Sequence, residues 1–338
     1  MFEVTLLDIN RLLADYGIGR LAVSFEELQR YHYEENDPES REVRLIVKAN
    51  LGDESLVIRF KNESDVSLQL IERQSEFARL LRDSGIASPI QYRAGDRYAR
   101  WYKINGYEVI VTIEECVEGE ITCVDAEIAE KTGTLLAQMH DAAESNAFHV
   151  DNAVLFDPFA QHNDLFEYAG FMELEAEMCG ENLKLFKEIV AKYASHMDAL
   201  LLIRAEPRYA VQGDISDCNL YMTADGNLGV YDFNRCGDNN LFCDAVMQAV
   251  FEARLMDYPE SLEEDREGII MRAFLKGYQS VRQFTPEQLE AYRHLYAVID
   301  AFWSADIKWN DDSLINAVRK SDGQAVRTKL ESILRKIQ

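Results

Sequence analysis

The chain has 338 residues and carries 60 acidic against 35 basic side chains, which gives a formal charge of −25. Such an excess of negative charge argues against a nucleic-acid surface or an anionic membrane as a partner. Acidic walls tolerate cationic ligands better than anionic ones, although solubility alone accounts for most excesses of this kind. The length suits one two-lobed unit or two domains, and the composition is that of an ordinary globular protein.

Targeting and redox signals are absent from the sequence. No run approaches the roughly 18 apolar residues of a spanning helix, and the first residues lack the basic start and apolar core of a signal peptide. The six cysteines show no C-x-x-C spacing. We therefore expect a cytoplasmic protein with reduced thiols and no membrane partner.

Hydrophobic periodicity predicts the elements of the N-terminal third. Residues 4–16 have the apolar spacing of a short amphipathic helix, and residues 42–49 and 55–60 alternate as two strands around a turn. A longer helix is predicted at 66–83, before a Ser-Gly pair that ends it. Residues 106–113 are mostly apolar and rich in valine and isoleucine, which is typical of a buried strand.

The rest of the chain is mostly helical in pattern. A long helix is predicted at 126–144, further helices at 165–202, and a helical tail from residue 245 onward. Between them, residues 220–222 and 228–231 indicate two short strands joined by a turn that contains Asp225-Gly226. The sequence contains no repeat, low-complexity block or Pro-rich linker.

Two carboxylates and one amide stand out around this hairpin. Gln212-Gly213-Asp214 is followed by Asn219, five residues after the aspartate, and Asp232 comes thirteen residues after Asn219. Phosphoryl transfer needs a positioned hydroxyl and cations held by oxygen ligands, which these side chains can supply. The predicted hairpin has the length that returns Asp232 to the side of Asn219.

The order and spacing of these residues resemble a kinase catalytic loop and its metal loop. The sequence motif most resembles that of the aminoglycoside phosphotransferase and choline kinase superfamily, whose loop reads H-G-D-x-x-x-x-N and is followed by I-D-F or I-D-W. The resemblance implies an α+β, bilobal protein-kinase-like fold, with a small N-lobe of antiparallel sheet and one main helix and a larger, mostly helical C-lobe. The lobes would span residues 1–113 and 120–338, joined by a hinge at 114–119.

The same resemblance implies the roles of individual residues. Asp214 corresponds to the catalytic base, Asn219 and Asp232 to the magnesium ligands, and Gly213 to the small residue at which the loop turns. Gln212 departs from the family, because it stands where histidine is usual. We expect it to keep the scaffold of the loop.

The N-lobe of a kinase pairs a strand cation with a helix glutamate. Arg59, in Leu-Val-Ile-Arg, resembles the V-A-I-K lysine, and Lys61 is a rival because strand periodicity places it on the same side. We choose Glu76 as the helix partner, with Glu72 one turn earlier as the alternative. In the resembled family adenine binds the backbone of the hinge, so the main chain of three residues is expected to contact it: Glu114, Glu115 and Cys116.

Two further segments bear on the resemblance. A glycine-rich phosphate loop is missing, and residues 33–40 are acidic and without glycine, so we expect this loop to be long and displaced. Residues 133–140 resemble the family's G-x-L-L-A-x-x-H helix, and we expect its His140 to be a packed structural residue.

The hypothesis is a small-molecule kinase that transfers the γ-phosphate of ATP, with Mg²⁺, to a hydroxyl of an unidentified acceptor. A catalytically silent kinase-fold binding protein is the alternative, and a protein kinase is disfavoured because no A-P-E follows Asp232. The sequence does not decide whether the nucleotide is ATP or GTP, and it does not identify the acceptor. The candidates to line an acceptor pocket are Asp217, Asn234, Arg235, Asp238, Glu252 and Trp309.

Overall fold

The protein is described by a computed structural model that covers residues 1–160, 163–215, 219–262 and 265–338. The chain separates into two compact units. The first unit comprises Met1–Ile121, Phe148–Asn152 and Asn219–Asn234. The second unit comprises Thr122–Ala147, Ala153–Cys218 and Arg235–Gln338. Asp214 therefore belongs to the second unit, whereas Asn219 and Asp232 belong to the first.

A five-stranded antiparallel sheet forms the centre of the first unit, with its strands in the order β1-β2-β3-β5-β4. Its central strands are rich in valine and isoleucine, which suits a pleated and half-buried surface. The strands are β1 (Ser24–Arg30), β2 (Val43–Asn50), β3 (Ser55–Asn62), β4 (Arg100–Ile104) and β5 (Tyr107–Glu115).

Two helices of the first unit match the predicted ones closely. Helix α1 (Leu6–Asp15) begins at a capping box between Thr5 and Asp8, and its apolar face joins the core of the sheet. Helix α3 (Leu68–Asp83) is capped by the Ser67 side chain, which accepts a hydrogen bond from the Leu70 N–H group. The expected N-terminal pattern of an antiparallel sheet with one main helix is present in this unit.

The connection between β1 and β2 contains a helical turn, α2 (Tyr33–Asn36), where a kinase would have its glycine-rich loop. The Tyr33 hydroxyl donates to Glu63 at 2.6 Å, and the Arg44 guanidinium lies 4.6 Å from the centroid of the Tyr31 ring. These contacts fix the acidic connection to the sheet of its own unit.

The second unit is mostly helical. Its longer helices are α4 (Ala126–Ser145), α6 (Gly180–Ala199), α8 (Leu241–Leu255), α9 (Arg266–Val281), α10 (Pro286–Ala301) and α12 (Gly323–Lys336). Shorter ones are α5 (Tyr168–Glu173), α7 (Leu201–Arg204) and α11 (Leu314–Arg319), and Ala305–Trp309 forms a π-helical turn. In the part of the chain that the structure describes, no helix is both long and apolar enough to cross a membrane.

Four short strands make two separate ribbons. In the second unit β6 (Arg208–Val211) pairs with β9 (Gly237–Asn240), and in the first unit β7 (Leu220–Met222) pairs with β8 (Leu228–Val230). The second ribbon is the predicted hairpin, and its turn contains Gly226 at a φ of 80°. The first ribbon was not predicted, because Gly-Asp-Asn-Asn has no strand propensity of its own.

Helix α8 lies in the core of the second unit, and every residue from Leu241 to Ala253 is buried. Helices α4 and α9 approach each other closely at two glycines. A Cβ atom on Gly133 would overlap the Phe274 carbonyl oxygen, and one on Gly277 would overlap the Glu130 carbonyl oxygen. The two backbones can therefore touch only where side chains are missing.

Candidate active site

The β7–β8 hairpin brings the two predicted metal ligands together within the first unit. Leu220 pairs with Val230, and the Tyr231 N–H group donates to the Asn219 carbonyl oxygen at 3.0 Å. Asp232 is the next residue, so the predicted return of the chain to Asn219 is confirmed at the level of the backbone. Asp232 has a φ of 54°, in the left-handed region that non-glycine residues seldom adopt.

Asp232 lies against a buried arginine. The Nη1 atom of Arg59 is 3.2 Å from Oδ2 of Asp232, and the Nη2 atom of Arg59 is 2.8 Å from Oε1 of Glu114. The Arg59 side chain is only 10% exposed. Burial by itself would raise the pKa of Asp232, but Arg59 and Lys61 outweigh it and hold that pKa below its ordinary value.

Lys61 is the second buried cation of this group. Its ammonium contacts the Oδ1 atom of Asn234, and the Asn234 carbonyl oxygen accepts a hydrogen bond from the Gln74 amide at 2.9 Å. Burial and the neighbouring Arg59 lower the pKa of Lys61 to about 8, against the opposing effect of Asp232. We call Arg59, Lys61, Glu114, Asp232 and Asn234 the Arg59 cluster.

Strand pairing explains why both cations point the same way. Arg59 lies opposite Ile46 and Lys61 opposite Arg44 in the β2–β3 register, and residues two apart on a strand share a face. The expectation that Arg59 and Lys61 lie on one side of β3 is confirmed. A small cavity of about 30 Å³ lies beside them, lined also by α3, and it has room for water but not for a nucleotide.

The predicted pairing of this cation with Glu76 is wrong in the structure. Glu76 pairs with Arg73 on its own helix at 2.5 Å. The alternative, Glu72, accepts the N–H groups of Tyr98 and Ala99 at 2.9–3.1 Å. The helical phase is the reason, because the α3 face towards β3 carries Gln74, Ser75 and Ala78 rather than a carboxylate.

Glu114 on β5 takes the place of the helix glutamate. Arg59 lies opposite Thr112, and Glu114 is two residues further along the same face, which is a diagonal position that a long side chain reaches. Its other carboxylate oxygen accepts a hydrogen bond from the Gln91 amide at 2.7 Å. For Glu114 only a main-chain role was expected, whereas its side chain pairs with Arg59. A glutamate at the end of an apolar strand was the available signal.

The main chain of the same segment is partly engaged. The Glu115 N–H group donates to the Ile90 carbonyl at 2.9 Å, and the Cys116 N–H group donates to the Ser55 carbonyl at 3.1 Å. A nucleotide base that sought these two donors would have to displace both bonds.

The start of the predicted catalytic loop, residues 212–215, lies in the second unit. Gly213 has a φ of 80°, and a Cβ atom there would lie 2.9 Å from the Arg235 carbonyl oxygen, so a small residue is required as predicted. Gln212 is fully buried, and its Oε1 atom accepts a hydrogen bond from the Asp214 N–H group at 2.7 Å. Gln248 on α8 accepts the next N–H group, that of Ile215, at 3.1 Å. Sequence reasoning missed Gln248, although a glutamine within an apolar helix was a signal.

Five of the six acceptor-pocket candidates lie among the described residues, one in the first unit and four in the second. Asn234 belongs to the Arg59 cluster, and Asp217 lies outside the described residues. In the second unit, Glu252 is buried on α8 and Asp238 lies on β9. Arg235 and Trp309 are each 49% exposed, and the guanidinium of Arg235 is 3.9 Å from Asp164.

Asn219 and Asp232 carry oxygen donors of the kind that bind magnesium arriving with a nucleotide. Mg²⁺ prefers oxygen ligands and is often held by one or two protein side chains together with phosphates and water. Within the described residues no group of three or more His, Cys, Asp or Glu side chains could enclose a metal ion. One carboxylate and one amide suit a shared ion of this kind.

Comparison with known proteins identifies the family. The sequence matches the model of the phosphotransferase enzyme family over residues 37–295, which is more than half of the chain. A search of curated proteins returned no significant match.

Solved structures with a similar fold include a microcompartment-associated aminopropanol kinase, with a TM-score of 0.57 and 14% identity over 97% of this chain and 95% of the other. A spectinomycin phosphotransferase in complex with ADP and spectinomycin has a TM-score of 0.54 and 12% identity over 99% and 98%. An amicoumacin kinase in complex with AMP-PNP and Ca²⁺ has a TM-score of 0.50 and 16% identity over 87% and 86%.

The structural likeness confirms the expected α+β, kinase-like fold. The family match confirms the expected enzyme class, an ATP-dependent phosphotransferase with an alcohol group as acceptor. This chain belongs to the phosphotransferase enzyme family.

Proposed function

We propose that the protein uses Mg²⁺-bound ATP as its phosphate donor and transfers the γ-phosphoryl group to a hydroxyl of a small molecule. The Arg59 cluster carries the proposal. It combines one ionised carboxylate, that of Asp232, with two buried cations. The β7–β8 hairpin holds the backbone of Asn219 beside that of Tyr231, the residue before Asp232. A magnesium triphosphate needs both oxygen donors for its ion and cations for its phosphates.

Each residue of the cluster has a proposed part in binding. Asp232 and Asn219 hold Mg²⁺, which when bound neutralises charge on the phosphates. Arg59 and Lys61 supply positive charge to the same phosphates, and Glu114 keeps Arg59 in place through its ion pair. Adenine contacts are proposed for the main-chain carbonyls of Glu114, Glu115 or Cys116, because two of the N–H groups there are already bonded.

Asp214 is the proposed base. The acceptor oxygen forms a bond to the γ-phosphorus as the bond between that phosphorus and the β–γ bridging oxygen breaks, and ADP leaves. The hydroxyl proton passes to the Asp214 carboxylate and then to solvent. The hydrogen bond that the Asp214 N–H group donates to the Gln212 side chain supports this role, because a misplacement of about 1 Å at a reacting group can cost a hundredfold in rate.

The proposed acceptor is a hydroxylated small molecule. A cationic acceptor suits the protein's formal charge of −25, because opposite charges attract. Asp217, Arg235, Asp238, Glu252 and Trp309 remain the proposed lining. We also propose a cytoplasmic location and a division into lobes at residues 114–119. The free thiols of Cys116, Cys123, Cys179 and Cys243 fit a reducing compartment.

Nucleotide binding is tested by thermal shift with ATP and Mg²⁺. A ligand that binds only the native state raises the melting temperature, so we expect a rise for the wild type and none for Asp232→Asn. Asp225→Asn is the matched control, since this exposed aspartate lies at the turn of the same hairpin and should leave the rise unchanged. An equal rise in wild type and Asp232→Asn would contradict the assignment.

Turnover separates the kinase from a silent binding protein. ADP release is measured with a panel of hydroxylated amines, amino acids, sugars and aminoglycosides as acceptors. The Asp214→Asn variant should bind ATP as the wild type does but produce no ADP. A thermal shift without turnover on any acceptor would favour the catalytically silent protein instead.

A further inference from the structure

Two consecutive main-chain N–H groups of the catalytic loop are bonded to glutamine side chains. The Asp214 N–H group donates to Gln212 at 2.7 Å, and the Ile215 N–H group donates to Gln248 at 3.1 Å. Gln212 and Gln248 are at most 2% exposed. We call these two residues the glutamine pair.

The backbone geometry explains why side chains are needed here. Strand β6 ends at Val211 and Gly213 turns the chain with a φ of 80°, so Asp214 and Ile215 lie beyond the β6–β9 ribbon. A buried N–H group without an acceptor costs about 1–3 kcal/mol. The two glutamine oxygens meet this need, and the position of the loop therefore depends on the two side chains.

Gln248 is itself held by a chain of buried polar groups. Its amide lies 3.4 Å from Oδ1 of Asp244, and Oδ2 of Asp244 is 3.0 Å from Nε2 of His140. The other ring nitrogen of His140 is 2.9 Å from the Tyr278 hydroxyl. In a neutral imidazole, an Nε2–H group that donates to the Asp244 carboxylate leaves Nδ1 of His140 to accept from the Tyr278 hydroxyl.

Three helices contribute side chains to this series of buried hydrogen bonds, and the packing of these helices brings the side chains together. His140 lies on α4, Tyr278 on α9, and both Asp244 and Gln248 on the buried helix α8. The close approach of α4 and α9 at Gly133 and Gly277 brings His140 within reach of Tyr278. Burial raises the pKa of Tyr278 far above the range of ordinary assays, so its hydroxyl remains a donor.

We propose that Gln212 and Gln248 are positioning residues for Asp214, which the core of the second unit fixes through Asp244, His140 and Tyr278. The proposal rests on the proposed function and adds to it how the base is held. Gln212 is uncharged at every pH, so it fixes the loop without a titration of its own.

Kinetics of single variants test the positioning role. Gln212→Met and Gln248→Met keep the length of the side chain and remove the acceptor oxygen. We expect each to lower kcat by roughly tenfold to a hundredfold, as a displacement of about 1 Å does, with the KM for ATP within about twofold of the wild type. Gln324→Met is the matched control on an exposed glutamine and should leave both constants unchanged. Gln212→His restores an acceptor nitrogen and should recover part of kcat.

Amide exchange followed by mass spectrometry gives a readout that needs no turnover. Faster exchange is expected at the Asp214 amide in Gln212→Met and at the Ile215 amide in Gln248→Met, with β6 still protected. Unchanged exchange at both amides in folded variants would overturn the proposal, and so would an unchanged kcat despite faster exchange. If the wild type turns over no acceptor, the proposed function fails, while the exchange result still decides whether the glutamine pair holds the loop.

Discussion

Arg59 is the side chain on which two carboxylates of the first unit depend. Glu114 is 9% exposed and Asp232 is 26% exposed, and both pair with the same guanidinium. The planar group of arginine can serve two acceptors at once, which an ammonium does less well. Its two ion pairs also raise the pKa of Arg59 despite its burial, so the charge is permanent.

Removal of this cation should therefore lower the stability of the folded protein. We expect Arg59→Met to lower the free energy of unfolding by about 3–5 kcal/mol, because Glu114 is left buried and uncompensated and the more exposed Asp232 adds less. Urea denaturation measures the change. Arg59→Met with Glu114→Gln should regain part of the loss, since an amide needs no counter-charge.

Arg20→Met is the control for this experiment. Arg20 is 41% exposed and pairs with Asp53 and Glu54 at a surface turn, so its loss should cost about 1 kcal/mol or less. If Arg59→Met and Arg20→Met unfold at the same urea concentration, the ion pairs of Arg59 do not support the fold.

Single residues of the site could be predicted where spacing along the chain decided their position. Asn219 and Asp232 follow from a hairpin whose length the sequence shows. The partner of Arg59 does not, because the rotation of α3 against β3 depends on packing that leaves no local signal. Glu114 became the partner through strand pairing that joins two residues 55 positions apart in the sequence.

At the scale of elements, the contact between α4 and α9 decides where His140 meets Tyr278. Gly133 and Gly277 are the points of closest approach, and each faces backbone atoms that cannot move aside as a flexible side chain would. The resemblance to G-x-L-L-A-x-x-H thus has a physical meaning in this chain: the glycine admits α9, and the histidine seven residues later bonds to it.

Gly133→Ala tests this contact through the sign of its effect. In a free helix alanine stabilises relative to glycine by about 1 kcal/mol, but here the added methyl group would overlap the Phe274 carbonyl oxygen. We expect a loss of roughly 1–3 kcal/mol in the free energy of unfolding, measured in urea. Gly323→Ala, in the first turn of α12 with open space around its Cβ position, should be neutral or stabilising. A stabilised Gly133→Ala would show that the helices are not packed at this glycine.

Elements with strong periodicity could be predicted to within a few residues, as α1, α3, α4 and the strands β2 and β3 show. The strands β6 and β9 could not, because four residues give too short a pattern and their pairing is imposed by the surrounding helices. The segment 165–202 was predicted as helical, and it is interrupted after α5 before α6 begins at Gly180.

For the whole molecule, the net charge is the property that bears on the ligand. A formal charge of −25 creates a negative potential that repels nucleic acid and raises the local concentration of small cations. That potential acts over roughly 10 Å at 0.1 M ionic strength and is screened as salt is added.

Acceptors of different charge should therefore respond differently to salt. We expect the KM of a cationic acceptor to rise severalfold between about 0.02 and 0.5 M ionic strength, since screening removes the attraction that concentrates it. A neutral hydroxylated acceptor of similar size should show a nearly constant KM over the same range. Steady-state kinetics at fixed ATP and Mg²⁺ measure both, and the ratio of the two KM values cancels any effect of salt on nucleotide binding. An equal response of the two acceptors would mean that the negative charge serves solubility and not the choice of acceptor.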